Sequence, residues 1–436
     1  MTTRRTVLHL AGGVAAGLAG GGAFLAGSGC DVRRPAAGTT TQPMPQQENS
    51  DTLVVETAGG GVALLDASTG GMLVRPAPAL ISGDGRRLVH IEPEGSRTRL
   101  TSFRLPDGGK VSQAVLVEQL GGRATSVDGS LVALATPAGA GSTPYRPGAR
   151  RSTTIMIADS SGQRTRLELP GNLEPEAFDD SGQVLFVLDY LPPMAPDRYR
   201  VRAVDLSTGQ PEPLLTRLKT AVPEGAEEEM RGEGRQAVYD PRSHQLFTLY
   251  THQPEHQHTR DLVAGARPDA PDVHAFVHTL NLGQHWAFCV DLPAPFGQQA
   301  SAGHAIALSP ARDVVCVVDA TSGAAALIDP ASLLVSATFR FPPPTAPVTP
   351  AVAVFDRDGT LLVGAGSEVI NLSTANGRVL ARWSTESAVR GLVPAADGLY
   401  VGQAGGILHV DATTGRLRRR IDMPALVALR HVGSSL

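Results

Sequence analysis

Short apolar runs alternate with small turn-forming residues along most of the chain. The stretch 399–415 shows the pattern: an alternating run at 399–403, a Gly-Gly pair, a second run at 407–410 and a closing turn that begins at Asp411. Runs of this kind, bounded by Gly and Asp, predict strands joined by tight turns. An Asp at the start of such a turn can bond the backbone two residues on, and a later Gly supplies a positive φ.

The closing turn recurs at a regular interval. Copies begin at Asp66, Asp107, Asp159, Asp205, Asn281, Asp329, Asn371 and Asp411. Successive copies lie 40 to 52 residues apart, apart from one interval of 76. A period in the forties built from short strands predicts an all-β fold, a single β-propeller with one four-stranded blade per repeat. We count eight blades. Seven is the alternative, because the Asp107 and Asn281 copies are weak.

A second landmark precedes most of these turns, a small apolar run that ends in an acidic or Gly turn. Examples occur at 79–85, 177–182, 237–241, 305–310 and 352–359. We interpret them as the innermost strands, which are buried on both faces. The last such run, 425–433, has no blade after it, and the first turn has no innermost strand before it. We therefore predict that 425–433 pairs with the N-terminal blade, begun at 52–56, and closes the ring.

The N-terminus has the pattern of an export signal. Arg4 and Arg5 precede a long apolar run rich in Gly and Ala, and small residues lead to Cys30. This segment resembles a twin-arginine signal and the lipoprotein box of bacterial lipoproteins, in which the cysteine is lipidated. The resemblance implies an export signal at 1–29 and a protein anchored to the outer face of the cytoplasmic membrane. A transmembrane anchor is the alternative.

Composition divides the rest of the chain into a tether and one domain. Residues 30–51 are rich in Thr, Pro and Gln without apolar periodicity, which predicts a disordered tether. No break interrupts 52–436, so we predict a single propeller domain there.

The net charge of −4 argues against a nucleic-acid partner, which needs a basic face. Insertions at 137–151, 191–197 and 216–275 predict long loops, which in propellers lie on the rims and bind partners.

A histidine cluster is the candidate metal site. Five histidines lie on one loop and on the strand that follows it, close enough in sequence for their imidazole rings to hold Zn²⁺ or Cu²⁺. The residues are His252, His256, His258, His274 and His278. We expect a solvated loop without metal here, and the metal site is the alternative. No other cofactor is indicated.

Two further groups have both a structural and a functional interpretation. The acidic residues of 224–233 are expected to form a solvated face, with a Ca²⁺ or basic-partner site as the alternative. Cys289 and Cys316 lie in apolar strand runs, and we expect two buried thiols, with a disulfide as the alternative. No nucleophile, zinc-hydrolase or phosphate-loop motif is present in the sequence.

Several repeats resemble those of known bacterial propellers. The stretches 399–417 and 360–383 are similar to quinoprotein repeats, and 314–329 is similar to YVTN-type repeats. Quinoprotein enzymes repeat a Trp through most blades, whereas this chain has only Trp286 and Trp383, so a quinone cofactor is not expected. YVTN-type and related propellers include lactone hydrolases and many non-catalytic binders, and the fold does not decide between them.

Three functions follow from these features. We expect a non-catalytic, monomeric binding module that contacts a cell-envelope protein, peptide or glycan through its rim loops. The first alternative is a lactonase-like hydrolase with a divalent ion at the channel mouth. Its carboxylates would come from the turns after inner strands, at Asp84, Asp128, Asp179, Asp240 and Asp356. The second alternative is a metal-binding or sensing protein that uses the histidine cluster.

Overall fold

A computed structural model describes residues 51–136, 142, 146–223, 225–231, 233–252, 273–345 and 350–433, with the backbone alone at 233–235 and 431–433. The first half contains β1 (Thr52–Thr57), β2 (Val62–Asp66), β3 (Met72–Ala77), β4 (Ala79–Ile81), β5 (Arg87–Glu94), β6 (Arg97–Arg104), β7 (Lys110–Leu116), β8 (Gly121–Thr125), β9 (Val132–Ala135), β10 (Ser152–Asp159), β11 (Gly162–Pro170), β12 (Asn172–Phe178), β13 (Val184–Leu191), β14 (Arg198–Asp205), β15 (Pro211–Pro213) and β16 (Leu215–Thr216).

The second half contains β17 (Glu233–Asp240), β18 (Gln245–Thr251), β19 (Ala275–Asn281), β20 (Trp286–Asp291), a 3₁₀ turn (Ser301–Gly303), β21 (His304–Leu308), β22 (Val315–Asp319), β23 (Ala324–Asp329), β24 (Leu334–Arg340), β25 (Val352–Phe355), β26 (Leu361–Ala365), β27 (Glu368–Leu372), β28 (Val379–Ser384), β29 (Val389–Pro394), β30 (Leu399–Gln403), β31 (Gly406–Val410), β32 (Leu417–Asp422) and β33 (Leu426–Gly433). No helix of the described residues is long and apolar enough to cross a membrane.

The strands form eight antiparallel sheets, which are the eight blades of a β-propeller. We number the blades from the N-terminus. Blade 1 contains β33 and β1 to β3, and blades 2, 3 and 4 contain β4 to β7, β8 to β11 and β12 to β15. Blade 5 contains β16 to β20, and blades 6, 7 and 8 contain β21 to β24, β25 to β28 and β29 to β32. The predicted all-β class and the count of eight are confirmed, and the seven-blade alternative is wrong. Blade 5 departs from the pattern, because β16 adds a fifth strand that pairs in parallel with β20.

The ring closes as the sequence predicts. Strand β33 is the innermost strand of blade 1 and pairs antiparallel with β1, with Leu53 opposite Val432 and Val55 opposite Leu429. An ion pair reinforces the closure, because Nε of Arg430 donates to a carboxylate oxygen of Glu56 at 3.0 Å. Pairing of the two chain ends in one blade removes the free edge that an open ring would have.

Eight apolar clusters form the core, one at each boundary between neighbouring blades. Val54 of blade 1 packs with Leu88 of blade 2, for example, and Leu53 of blade 1 packs in another cluster with Tyr400 of blade 8. Each blade is covered on both faces, so its middle strands are buried throughout. Strands β18 and β26 have no exposed residue, whereas the outer strand β28 alternates between half-buried and exposed positions.

In most blades the recurring Asp or Asn starts the turn between the third and fourth strands. In blade 2 that turn starts at Arg104 and Asp107 lies within it, and in blade 7 Asn371 lies on β27 and the turn starts at Ser373. In blade 8 a carboxylate oxygen of Asp411 accepts from the backbone N–H groups of Thr413 and Thr414 at 3.2 and 2.9 Å. Hydrogen bonds from the backbone N–H and the hydroxyl of Thr414, and from Arg418, lower the pKa of Asp411 to about 2. Gly415 closes the turn with φ 69°, a conformation in which an L side chain is strained. The predicted turn chemistry is therefore confirmed.

Candidate functional site

Long connections are confined to one rim of the propeller. Because strand direction alternates within a blade, connections between the first and second strands and between the third and fourth strands share one rim, which we call the short-turn rim. All other connections lie on the opposite, long-loop rim. Among the described strands, every connection longer than six residues begins and ends at the long-loop rim. These connections are 136–151, 217–232, 252–274, 292–303 and 341–351.

A charged cluster lies at this rim between blades 3 and 4. Glu174 is on the innermost strand of blade 4, and its carboxylate pairs with Nε of Arg123 at 2.8 Å and with Nη2 of Arg150. The three side chains are at most 10% exposed. Ions removed this far from water are strongly destabilising unless they are paired. The cluster therefore fixes the relative position of the two inner strands and of the connection that carries Arg150.

Asn172 extends this cluster to a second connection. Its Oδ1 accepts from Nε of Arg150 at 2.9 Å, and its Nδ2 donates to the carbonyl oxygens of Gly148 at 2.9 Å and Pro193 at 3.2 Å. Gly148 belongs to the blade 3 connection and Pro193 to the blade 4 connection. One buried amide therefore joins two adjacent connections of the long-loop rim to an inner strand.

A second charged cluster fastens the 217–232 connection to blade 4. Glu227 is 9% exposed, and its carboxylate accepts from Arg200 at 2.6 Å and from Arg202 at 2.6 and 2.9 Å. Nearby, Nε of Arg198 lies 2.6 Å from a carboxylate oxygen of Glu229. The expectation that the acidic residues form only a solvated face is wrong for Glu227, since the arginines of β14 draw it into a buried ion pair.

A cavity of about 370 Å³ lies beside the inner strands of blades 2 to 5. Most of its wall is apolar, from residues such as Leu80, Ile81, Val127 and Phe178. The charged residues on its wall are Glu56, Arg123 and Glu176. Ligand sites typically combine an apolar cavity of this size with a few polar groups. The cavity therefore has the dimensions and lining of a small-molecule site.

A second cavity, of about 420 Å³, lies between blades 4 and 5 under the 217–232 connection. Its wall is mainly apolar, with His278 and Cys289 among the lining residues. His278 is buried and its ring meets that of Tyr250 edge to face, with centroids 6.4 Å apart. Packing against an aromatic ring in the core is the ordinary environment of a structural histidine.

The structure places His278 apart from the other described members of the histidine cluster. His252 follows β18 and His274 precedes β19, at the long-loop rim, whereas His278 lies opposite Thr248, three residue pairs further into the sheet. His256 and His258 lie outside the described residues. Among the residues that the structure does describe, no group of three or more His, Cys, Asp or Glu is placed to hold a metal ion. A metal site on this loop remains a prediction.

The five aspartates suggested for a channel-mouth site each serve a local turn on the short-turn rim. Asp84, Asp128 and Asp179 accept hydrogen bonds from backbone N–H groups of the residues that follow them. Asp240 accepts from the backbone N–H of Arg242, and Asp356 from that of Arg357. Each carboxylate is therefore used where the chain reverses, and the five do not converge.

The remaining candidates are two cysteines and the N-terminal segment. Cys289 and Cys316 are buried thiols in blades 5 and 6, and burial raises the pKa of the Cys316 thiol. A thiol in this environment is a poor nucleophile. Arg4, Arg5 and Cys30 lie outside the described residues, so export and lipidation remain predictions.

Sequence reasoning missed the paired residues of the long-loop rim. The signal for Glu174 was an acidic residue on an inner strand, at 172–178, which also contains Asn172 and Glu176. Nothing in the local sequence of Arg123 indicated its partner, because the two residues meet only when blades 3 and 4 pack together.

Comparison with known proteins supports the fold. No protein family and no curated protein matches the chain. A solved structure of apo AztD from Citrobacter koseri superposes with a TM-score of 0.52 at 12% identity, over 88% of this chain and 98% of that one. The periplasmic gluconolactonase PpgL from Pseudomonas aeruginosa gives 0.43 at 14% identity, over 88% and 98%. At these identities the likeness to AztD extends to the fold alone, so the chain is a β-propeller similar in architecture to AztD.

Proposed function

We propose that the chain is an exported, lipid-anchored binding module that contacts a cell-envelope protein, peptide or glycan through its long-loop rim. The observation that carries this proposal is the asymmetry of the two rims. Every long connection between the described strands begins and ends at one rim, and the connections at the other rim are at most six residues long. Loops held on a rigid scaffold are the usual place for binding residues.

The charged clusters support a preformed binding surface. Glu174 and Asn172 hold the ends of two adjacent connections against the inner strands, and Glu227 holds a third connection against blade 4. Loops that are ordered before binding lose less conformational entropy when a partner binds. A rim fastened in this way is suited to recognition.

The hydrolase alternative has less support. Its proposed carboxylates are held in their own turns on the short-turn rim. Among the described residues, no group of three or more His, Cys, Asp or Glu is placed to hold the divalent ion that this alternative needs.

Photo-crosslinking from matched positions tests the binding proposal. A photoreactive residue replaces Met194, which is 51% exposed on the long-loop rim of blade 4, or Thr208, which is exposed on the short-turn rim of the same blade. We expect crosslinks to a defined partner in intact cells from position 194 and none from position 208. Glycan partners are detected as crosslinked material that glycosidase treatment releases. Equal crosslinking from both rims would refute the assignment of the rim.

The anchoring proposal has a separate test. In cells supplied with a labelled fatty acid, the wild-type protein should incorporate the label and Cys30→Ala should not. Arg4→Lys together with Arg5→Lys should leave the protein inside the cell. Label retained by Cys30→Ala would refute the assigned lipidation site.

A further inference from the structure

The outer edge of blade 4 is incomplete, because its fourth strand is short. Strand β15 is Pro211–Pro213 and pairs only with residues 202–204 of β14. Proline has no backbone N–H to donate and fits poorly inside a strand, so the two prolines limit the length of this one. Further along β14 the 217–232 connection takes its place, where Met230 and Tyr199 exchange backbone hydrogen bonds of 2.9 and 2.7 Å.

The cavity of about 420 Å³ lies where these two pairings leave β14 uncovered. Val201 lies on β14 between the two pairings and lines the cavity, as do Leu214, which follows β15, and Met230. Ala287 and Phe288 of β20 form the wall on the side of blade 5. The cavity is therefore an apolar gap in the outer edge of blade 4 that the 217–232 connection covers.

The charged residues on the wall of this cavity favour an uncharged ligand. They are Arg217, Glu227 and Glu228. The guanidinium of Arg217 donates to the carbonyl oxygens of Ala331 and Ser332 at 2.6 and 2.7 Å, and the carboxylate of Glu227 accepts from two arginines of β14. Because these two charges already have partners, a charged ligand would give up its hydration without gaining a counter-ion from either of them.

Leu218 offers an apolar ligand a large surface to cover. It lines the cavity and is 86% exposed, more than any other large apolar side chain among the described residues. A tight turn fixes its position, because the backbone N–H of Thr216 donates to the carbonyl oxygen of Thr220 at 2.9 Å and that of Lys219 donates to Thr216 at 2.7 Å. Removing apolar surface from water is favourable in proportion to its area, so a ligand that covers Leu218 gains affinity.

We propose that this cavity binds a compact, uncharged apolar molecule that packs between Leu218 and Phe288. A cavity of this volume accommodates a small ligand, and cavities lined by apolar side chains take up apolar molecules such as benzene. The site goes beyond the proposed partner surface, and it needs no macromolecule on the long-loop rim.

Two probes with the same ring system test this proposal. Naphthalene is uncharged, and 2-naphthoate carries a carboxylate on the same rings. Binding of each probe to the full chain carrying Cys30→Ser, which prevents the predicted lipidation, is measured by ligand-observed NMR in sealed tubes. We expect naphthalene to bind with a Kd of about 100 μM or tighter, and 2-naphthoate to bind at least about tenfold more weakly because its charge would be desolvated.

Exposed leucines provide a matched pair of variants. Leu218→Ser removes apolar surface from the ligand site and should weaken naphthalene binding about threefold to tenfold. Leu334→Ser is the control, since Leu334 is 63% exposed on the outer strand of blade 6 and does not line the cavity. It should leave the affinity unchanged. Both side chains are exposed, so both variants should fold, and thermal unfolding checks this.

Two filling variants locate the site. Val222→Trp adds bulk from the 217–232 connection and should abolish naphthalene binding. Val127→Phe adds bulk to the other cavity, beside the inner strands, and should leave binding unchanged. The proposal is overturned if naphthalene does not bind, if 2-naphthoate binds as tightly, or if Leu218→Ser and Leu334→Ser have equal effects. It is also overturned if Val127→Phe, rather than Val222→Trp, removes binding.

Discussion

Nε of Arg123 lies 2.8 Å from a carboxylate oxygen of Glu174, across the boundary between blades 3 and 4. The two residues lie on neighbouring inner strands and are 8% and 9% exposed. The contact lies at the long-loop rim, where blades 3 and 4 carry the connections 136–151 and 192–197. The relative position of these two inner strands therefore depends on the buried carboxylate of Glu174.

Removing that charge should destabilise the protein. Glu174→Gln leaves Arg123 and Arg150 without a carboxylate in a buried site, and we expect a loss of about 3 kcal/mol in the free energy of unfolding. Chemical denaturation measures this loss. The matched control is Glu168→Gln, which removes a carboxylate 49% exposed and paired with Arg166, and should cost less than about 1 kcal/mol. Equal effects of the two changes would contradict the structural role of Glu174.

Stability should fall in mild acid because of His304. The side chain is fully buried, with Nε2 accepting from the backbone N–H of Gly297 at 3.0 Å. Burial lowers the pKa of His304, and the charge of Asp319 opposes this only in part. In the unfolded chain His304 is protonated below about pH 6.5. In the folded chain the same side chain becomes protonated only at a lower pH.

The sign of the effect follows from this difference. The contribution of His304 to stability is fully present above about pH 6.5 and decreases as the pH falls below it. His304→Gln keeps an acceptor for Gly297 and cannot titrate. Thermal midpoints measured between about pH 5 and pH 7.5 should therefore fall less steeply in this variant. Identical slopes in the two proteins would show that His304 is not responsible.

Ring closure should depend on Gly391. This residue has φ 149°, and a Cβ atom added to it would overlap with the carbonyl oxygen of Leu429 on β33. Gly391→Ala should therefore strain the contact between blade 8 and the closing strand, at a cost of about 1–3 kcal/mol in the free energy of unfolding. Gly59→Ala is the control, because no atom lies within 4 Å of its added Cβ. Wild-type stability of Gly391→Ala would contradict this account.

The two core cysteines should be unreactive thiols in the folded protein. Both are buried, and burial raises the pKa of Cys316. With the Cys30→Ser chain, we expect a thiol reagent to modify no residue under native conditions and both Cys289 and Cys316 after denaturation without reductant. A denatured protein that consumed no reagent would instead contain a disulfide.

Local sequence carried enough information to predict the blades. A turn such as the one at Asp411 is built from residues within five positions of one another, so its copies could be counted directly. The closing strand 425–433 was also predictable from the repeat. The first blade lacks an innermost strand and the C-terminus has one strand too many, so pairing the two completes the blade. Position in the repeat, however, gave no reason to expect Glu227 to be buried, because the arginines that pair with it are on β14 of blade 4.

The sequence by itself determined the all-β class, the number of blades and the way the ring closes, because each follows from hydrogen bonding and turn chemistry within a few residues or from the repeat count. Only the tertiary structure decided which residues share a site. Arg123 and Glu174 are 51 residues apart, and they meet because neighbouring inner strands pack side by side. Contacts between blades depend on packing across the ring, and no local pattern in the chain encodes them.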